Sequence, residues 1–321
     1  MKNGKIKIQH SIINVLDGTN SPFCKLPYIF LTSGKKGPAV WLTSCVHGDE
    51  VGGIVVTQEI VKKLRKNLAA GEVHIIPLMN PRGFETMSRN LTLSEEDLNR
   101  SFPGDKSKTL AKRIAYQIFS EIVKTKPDLV IDLHNDWSHS IPHVLLDREP
   151  AGDHKNVYPK AIKMAKISGF MPVIDTDEPK GSLSDSLIQR GIPSFTIELG
   201  ESYIVNEKNV SCGVKSLENI FAKLEMIKKP QKFFEFHDRK EVEGKILIYS
   251  DKPLPSKSGI IRFKVEPGDI VKKGKIIGEI YDVLGTKLET LISQDNALVL
   301  GYTDFASVYP GTPVVALGLI K

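Results

Sequence analysis

Three cysteines, Cys24, Cys45 and Cys212, are all that 321 residues contain, and no Cys-x-x-Cys pair occurs among them. A disulfide framework and a cysteine-ligated metal site are therefore not expected. An odd, sparse set reads as reduced thiols, and a cytoplasmic protein is expected. Cys45 is read as a small buried residue closing a strand rather than as a nucleophile. No stretch reaches about 18 consecutive apolar residues, so no membrane span is expected. The opening run MKNGKIKIQHSIINVLDG lacks the continuous apolar core of a signal peptide. Long internal repeats, low-complexity tracts and DNA- or RNA-binding motifs are also missing. The formal charge is +6, but its lysines are scattered and form no basic block. Nucleic acid is thus not an expected partner, and an anionic small molecule suits the charge better.

What is present is an alternation of apolar runs with helical patterns. AVWLTSC (39–45) reads as a buried strand, followed by VGGIVVTQEIVKKLRKNL with helical spacing and basic last turns. EVHIIPLMN (72–80) is the next strand, and a polar, turn-rich loop runs from Pro81 to Lys108. LAKRIAYQIFSEIVKT reads as an amphipathic helix and DLVIDLHN (128–135) as a buried strand. PHVLLD, a helix near 156–168, MPVID, the helix SLSDSLIQRG, the strand SFTIELG (194–200) and a helix within 210–228 complete the series. Such a pattern predicts an α/β domain, a mostly parallel sheet with helices on both faces. Near Lys229 the pattern changes to short strands and glycine turns. The expected division is a catalytic domain over residues 1–235 and a small all-β domain over 236–321.

The turn TSCVHGDEVGG puts His47 and Glu50 three residues apart directly after the first strand. Asn80 ends the second strand, His134 ends the third, and Glu198 lies near the end of the strand 194–200. Parallel α/β sheets bind ligands outside the carboxyl ends of their strands, so these residues are expected to converge. A His-x-x-Glu alone is common by chance, and a lone His134 could be a core histidine. Their arrival at the same sheet edge is what carries weight. Two imidazoles and a carboxylate with a position left open are a standard catalytic zinc set. A further carboxylate is then needed as general base, and Glu198 is placed for it, since an unpaired buried carboxylate is otherwise costly. The loop SRNLTLSEEDLNRSFPG offers Arg89, Asn99 and Arg100 for an anionic intermediate or a substrate carboxylate. Gly48, Gly52 and Gly53 are read as the residues that let the turn tighten until both side chains face one ion.

HGDE, NPRGFETMSR, DLNRSFPG, DLHN and IELGE, in this order, resemble the succinylglutamate desuccinylase/aspartoacylase family, a branch of the zinc carboxypeptidase superfamily. These motifs cover most of residues 39–201. The resemblance implies one zinc ion per subunit, bound by His47, Glu50 and His134. It implies that Glu198 activates the attacking water, that Arg89 polarises the scissile carbonyl, and that Asn99 and Arg100 hold a substrate carboxylate. The substrate class it implies is a small N-acyl amino acid or related N-acylated amine. A homo-oligomer is compatible with the sequence. The last segment resembles the family's C-terminal domain, which narrows the site against long peptides.

That segment is also similar to a biotinyl/lipoyl-type barrel sandwich through GIIRFKVEPGDIVKKGKIIGEI. No Met-Lys-Met or Asp-Lys-Ala marks a carrier lysine, so an unmodified lid is expected. Two features depart from aspartoacylase proper. Only Arg190 stands where that enzyme reads an acidic side chain, in a register that does not match cleanly. Tyr302 and Tyr309 both compete for the tyrosine that the family brings in from its C-terminal domain. A zinc-dependent deacylase of small N-acyl amino acids is therefore expected. The alternatives are a peptide carboxypeptidase and a non-catalytic binding member of the fold.

Overall fold

Side chains of β3 (Ala39–Ser44) alternate between the two faces of a sheet, and the alternation decides which helix each meets. Val40 and Leu42 bury in a core with α1 (Gly52–Asn67), while Trp41 points into a second core on the other face. The computed structural model describes residues 6–16, 25–176, 181–236 and 240–321, and Cys24 lies outside them. After β3 and α1 come β4 (Glu72–Ile76), α2 (Pro81–Thr86), a 3₁₀ turn at Leu98–Arg100, and α3 (Leu110–Lys124). Then follow β5 (Leu129–Asp136), β6 (His139–Ser140), β7 (His143–Leu146), α4 (Tyr158–Ile167), β8 (Pro172–Ile174), α5 (Leu183–Ile188), β9 (Ser194–Glu201) and α6 (Glu207–Lys223). The helices α1, α4 and α6 cover one face, and α3 and α5 the other. Among the described residues no helix is long and apolar enough to cross a membrane.

The sheet is mixed rather than mostly parallel. Its centre, β4-β3-β5-β9, is parallel as the sequence pattern predicts. An antiparallel hairpin, β1 (Lys7–Asn14) and β2 (Lys25–Thr32), extends it on the β4 side. Beyond β9, β7 runs antiparallel, with His143 opposite Glu198. Three expected elements shift. The second strand stops at Ile76, because the chain leaves the ladder and Met79 N and Asn80 N bond Ser44 O and Cys45 O instead. The loop after it contains α2, started by an Asn80 cap that accepts from Gly83 N at 2.9 Å, with Pro81 in the first turn. The last helix starts at Glu207, where Asn206 caps its first turn, and ends at Lys223.

The segment after residue 240 is all-β, as expected, and carries a separate smaller β-rich subdomain, while its other strands join the large sheet. Its strands are β10 (Leu247–Ser250), β11 (Gly259–Phe263), β12 (Ile270–Val271), β13 (Ile276–Tyr281), β14 (Lys287–Ile292), β15 (Ala297–Tyr302), β16 (Ser307–Val308) and β17 (Val315–Leu319). A small sheet holds β14-β13-β11-β16, and its β13–β14 hairpin carries exposed Val283 and Leu284 at the tip. The other four strands continue the large sheet in the order β8-β10-β17-β15-β12. The sheet then curls back on itself: β15 pairs β6, which lies against β9. Trp137, Ile141, Leu145 and Tyr249 are partly buried against a core cluster that includes Met171, Val173, Leu247, Leu298 and Leu300.

Candidate active site

At the end of β3, Cys45 adopts φ 53°, a left-handed conformation that reverses the chain. Its thiol donates to His47 O at 3.2 Å, and burial pushes its pKa up, so it is an inert structural thiol. The following turn carries His47 and Glu50, closed by Glu50 N donating to His47 O at 3.2 Å. The glycines of this turn serve a different purpose from the one expected. None of Gly48, Gly52 and Gly53 has positive φ. Instead each lies against another element. A Cβ on Gly48 would fall 1.8 Å from the carbonyl carbon of Gly83, and one on Gly52 would fall 2.8 Å from Asn135 Oδ1. The same Asn135 oxygen accepts from Gly52 N at 3.0 Å, satisfying a first-turn amide of α1 that no Val51 side chain caps.

His134 reaches the turn from β5. Period-two alternation puts Asp132 and His134 on the face of Trp41 and Thr43, with Ile131 and Leu133 on the opposite face. His47, Glu50 and His134 are all buried, and one ligand atom of each lies within 4.8 Å of the others. His47 Nδ1 is 2.6 Å from Glu50 Oε1, and His134 Nδ1 is 2.9 Å from Glu50 Oε2. Both imidazoles therefore turn Nδ1 to the centre. Each gives its Nε2 to a carboxylate: His47 to Asp97 at 3.1 Å and His134 to Asp132 at 2.9 Å. Thr43 Oγ1 donates to the other Asp132 oxygen at 2.7 Å. A carboxylate on Nε2 keeps the proton there and leaves the Nδ1 lone pair for a cation. The buried donor set, with its supporting carboxylates, fits a divalent metal.

Electrostatics agree with that geometry. Burial alone would raise the Glu50 pKa, but the His47 and His134 imidazoles outweigh it and hold the carboxylate well below its usual range. Burial likewise disfavours a charged His134, yet Asp132 and Glu50 keep its pKa well above the usual value. Asp97 is held low against burial by its hydrogen bond from His47 and by Arg89. Asp136 is the exception: burial pushes it up to about 6, against the Trp137 N–H that it accepts at 2.8 Å.

The remaining expected residues divide. Arg89 is half-exposed and spans Glu50 (3.5 Å) and Asp97 (3.3 Å). Glu198 sits on β9 directly beside His134 in register, with His143 on its other side. Asn99 is buried, and its Oδ1 accepts from Leu183 N at 2.9 Å, anchoring the start of α5. Arg100 folds back to Asn99 O at 3.0 Å. Arg190 is elsewhere: it follows α5, is exposed, and precedes the N-terminal end of β9, the edge opposite Glu198. Tyr302 donates to Glu266 at 3.3 Å and stacks on Phe263 and His139, while Tyr309 is 60% exposed. Tyr249, on β10, is a further C-terminal tyrosine; burial and then nearby carboxylates, Asp136 first, raise its pKa. Sequence reading also misses Asp97, Asp132 and Asn135. The alternation in DLHN could have shown Asp132, two positions before His134 on the same face.

Comparison with known proteins gives the same picture. A relative from Halomonas elongata, N-alpha-acetyl-L-2,4-diaminobutyric acid deacetylase, is 26% identical over 295 residues, 83% of this chain and 81% of its own. The product-bound ectoine utilization protein from Ruegeria pomeroyi superposes with a TM-score of 0.81 at 19% identity, covering 99% of this chain and 100% of that one. A succinylglutamate desuccinylase/aspartoacylase from Rhodobacter sphaeroides gives a TM-score of 0.80 at 20% identity, over 98% of this chain and 95% of that one. The family model for the succinylglutamate desuccinylase/aspartoacylase catalytic domain matches residues 36–224, which contain the three candidate ligands, their supporting carboxylates and Glu198, and the chain belongs to that family.

Proposed function

We propose that this chain is a zinc-dependent deacylase that cleaves the amide of a small N-acyl amino acid or related N-acylated amine. The observation that carries this reading is the His47, Glu50, His134 cluster in the family fold, with Glu198 on the neighbouring strand. These three ligands would hold the zinc. When bound, a divalent ion there supplies Lewis-acid polarisation of a carbonyl and a ready nucleophile from water near neutral pH. Glu198 takes one proton from the attacking water as the C–O bond forms, and delivers it to the departing nitrogen when the C–N bond then breaks. Arg89 faces the negative charge that develops on the former carbonyl oxygen. Asn99 and Arg100 hold the substrate carboxylate. With the Asn99 oxygen spent on Leu183 N, only its amide N–H groups remain, the right polarity for an anion.

Residues 1–235 are proposed as the catalytic unit and 236–321 as the part that narrows the site against long peptides. Buried thiols at Cys45 and Cys212 suit a reducing, cytoplasmic setting. The test is Glu198→Gln, assayed on N-acetyl amino acids beside free and C-terminally blocked peptides. The variant is expected to keep its zinc and lose nearly all turnover. Retained turnover in a zinc-replete sample would sink the assignment of Glu198.

A further inference from the structure

Lysines that are scattered in the sequence are gathered by the fold. The helices α1, α4 and α6 share one face of the sheet, and the chain after α6 stays with them, since Phe234 bonds Asn219 of α6. These helices and residues 224–235 hold thirteen Lys and Arg against five Glu. That is a net charge of +8 on one face, where the whole chain carries +6. At the C-terminal ends of α4 and α6 the same face opens into a cavity of about 550 Å³, a volume typical of small-ligand sites. Lys166, Lys223 and Lys229 line it, with Ala222, Ile227, Phe233 and Phe234. None of the metal-site residues does.

The aromatic wall is fixed. Buried Asn219 accepts from Phe234 N at 3.0 Å and donates to Phe234 O at 2.8 Å, as a neighbouring strand would. Phe234 also meets Phe170 edge-on, 5.6 Å between ring centres. Lys229 Nζ stands 5.5 Å from the centre of the Phe233 ring and Lys215 Nζ 5.9 Å from that of Phe234, so each ring holds an ammonium group. Glu218 of α6 is taken up by Lys63 at 2.8 Å. Glu225 and Glu235 also line the cavity, yet among the described residues Lys166, Lys215, Lys223 and Lys229 make no ion pair. Lys166 and Lys223 complement the helix dipoles in whose last turns they stand. Lys215 and Lys229 have no such role.

Four ammonium groups without carboxylate partners, in a concave part of a basic face, select a ligand with more than one negative charge. Two phenyl rings with Ala222 and Ile227 add room for a flat apolar body. A fatty acid, with one charge and a long chain, fits less well, because ionic side chains share the lining throughout. We propose that this cavity binds a nucleoside diphosphate moiety, its phosphates on the lysines and its base on the Phe233 side. That moiety occurs free and as one end of coenzyme A.

Calorimetry on the zinc-loaded full chain tests it, with ADP as the probe beside adenosine and pyrophosphate. ADP is expected to bind saturably, one per chain, and at least about tenfold tighter than either fragment. Added salt is expected to weaken it. The double variant Lys223→Gln, Lys229→Gln is expected to weaken ADP binding by about tenfold. Phe233→Leu, which keeps apolar packing and removes the ring, is expected to weaken it severalfold. Lys208→Gln, at the other end of α6 and about 22 Å from Lys223, is expected to leave the affinity as it is. Absence of saturable ADP binding overturns the proposal, and so does binding that neither lining variant weakens. Pyrophosphate that binds as tightly as ADP reduces the cavity to an anion site and overturns the nucleotide. An equal loss in Lys208→Gln, or an oligoribonucleotide whose affinity grows with its length, makes the whole basic face responsible and overturns the cavity. Coenzyme A separates the two sources. Tighter binding than ADP assigns the cofactor, and equal or weaker binding assigns the free nucleotide.

Discussion

Replacing Gly48 by alanine adds one methyl group where three backbone atoms already stand. The new Cβ would lie 1.8 Å from Gly83 C, 2.2 Å from Phe84 N and 2.3 Å from Gly83 O. Backbone atoms cannot rotate aside as a side-chain tip can. The turn and the first residues of α2 must separate by roughly 1.5 Å to restore ordinary contact. That movement also breaks the Gly48 N to Ser88 O bond, now 3.0 Å. Overpacking of this kind costs about 3 kcal/mol and the lost bond about 1 kcal/mol. For a chain of this length 1 kcal/mol corresponds to about 1.5 °C in Tm, so a fall of about 6 °C is expected. His47 and Glu50 flank the displaced residue, so zinc affinity should fall at least about tenfold as the ligands leave their geometry. Thermal melting of the metal-free protein and zinc titration against a fluorescent chelator read the two effects separately. A variant that melts within about 1 °C of the parent and binds zinc as tightly would refute the close-approach account of Gly48.

Asp132→Asn removes the negative charge that holds His134 in place and should weaken zinc binding about 10- to 100-fold by chelator competition; unchanged affinity would count against it. Arg89→Ala should lower kcat by about 100- to 1000-fold with zinc content unchanged by metal analysis, whereas a loss confined to KM would move Arg89 from the oxyanion to substrate binding. In the metal-free protein the raised His134 pKa means that its ion pair with Asp132 and Glu50 stabilises fully below about pH 6.5, and that the contribution is lost as pH rises through the folded value. Zinc needs the His134 lone pair, so loading near neutral pH should release about one proton, measurable by calorimetry in buffers of different ionisation heat; no release would show His134 already neutral.

The metal cluster is legible in the sequence because local rules generate it. A parallel strand order brings the ends of β3, β5 and β9 side by side, and period-two alternation chooses which of their residues share a face. Glu198 follows from the same rule. Asp97 is harder: it lies in a polar loop whose path is fixed by turn hydrogen bonds, among them its own to Asn99 N at 2.8 Å. Tyr249 and His143 are harder still. Their positions depend on β7 reversing direction beside β9 and on β10 joining β8, pairings between distant segments that no local pattern announces. Arg190 shows the converse. It is near Glu198 in sequence, but a strand separates them, and a strand's two ends open on opposite edges of the sheet.

The pairing of β6 with β15 has a bearing on how the molecule is made. It joins His139 to Tyr302 and Ser140 to Gly301, and β17 must then lie between β15 and β10. Contacts of such sequence separation form late, since a long loop must close before any of them contributes. On a ribosome the metal ligands can meet once β5 has emerged, and Glu198 can join them with β9. The wall that holds Tyr249 has to wait for residues 297–319. In a nascent chain, the segments that supply the ion-binding turn are therefore made well before the strands that complete this edge of the sheet.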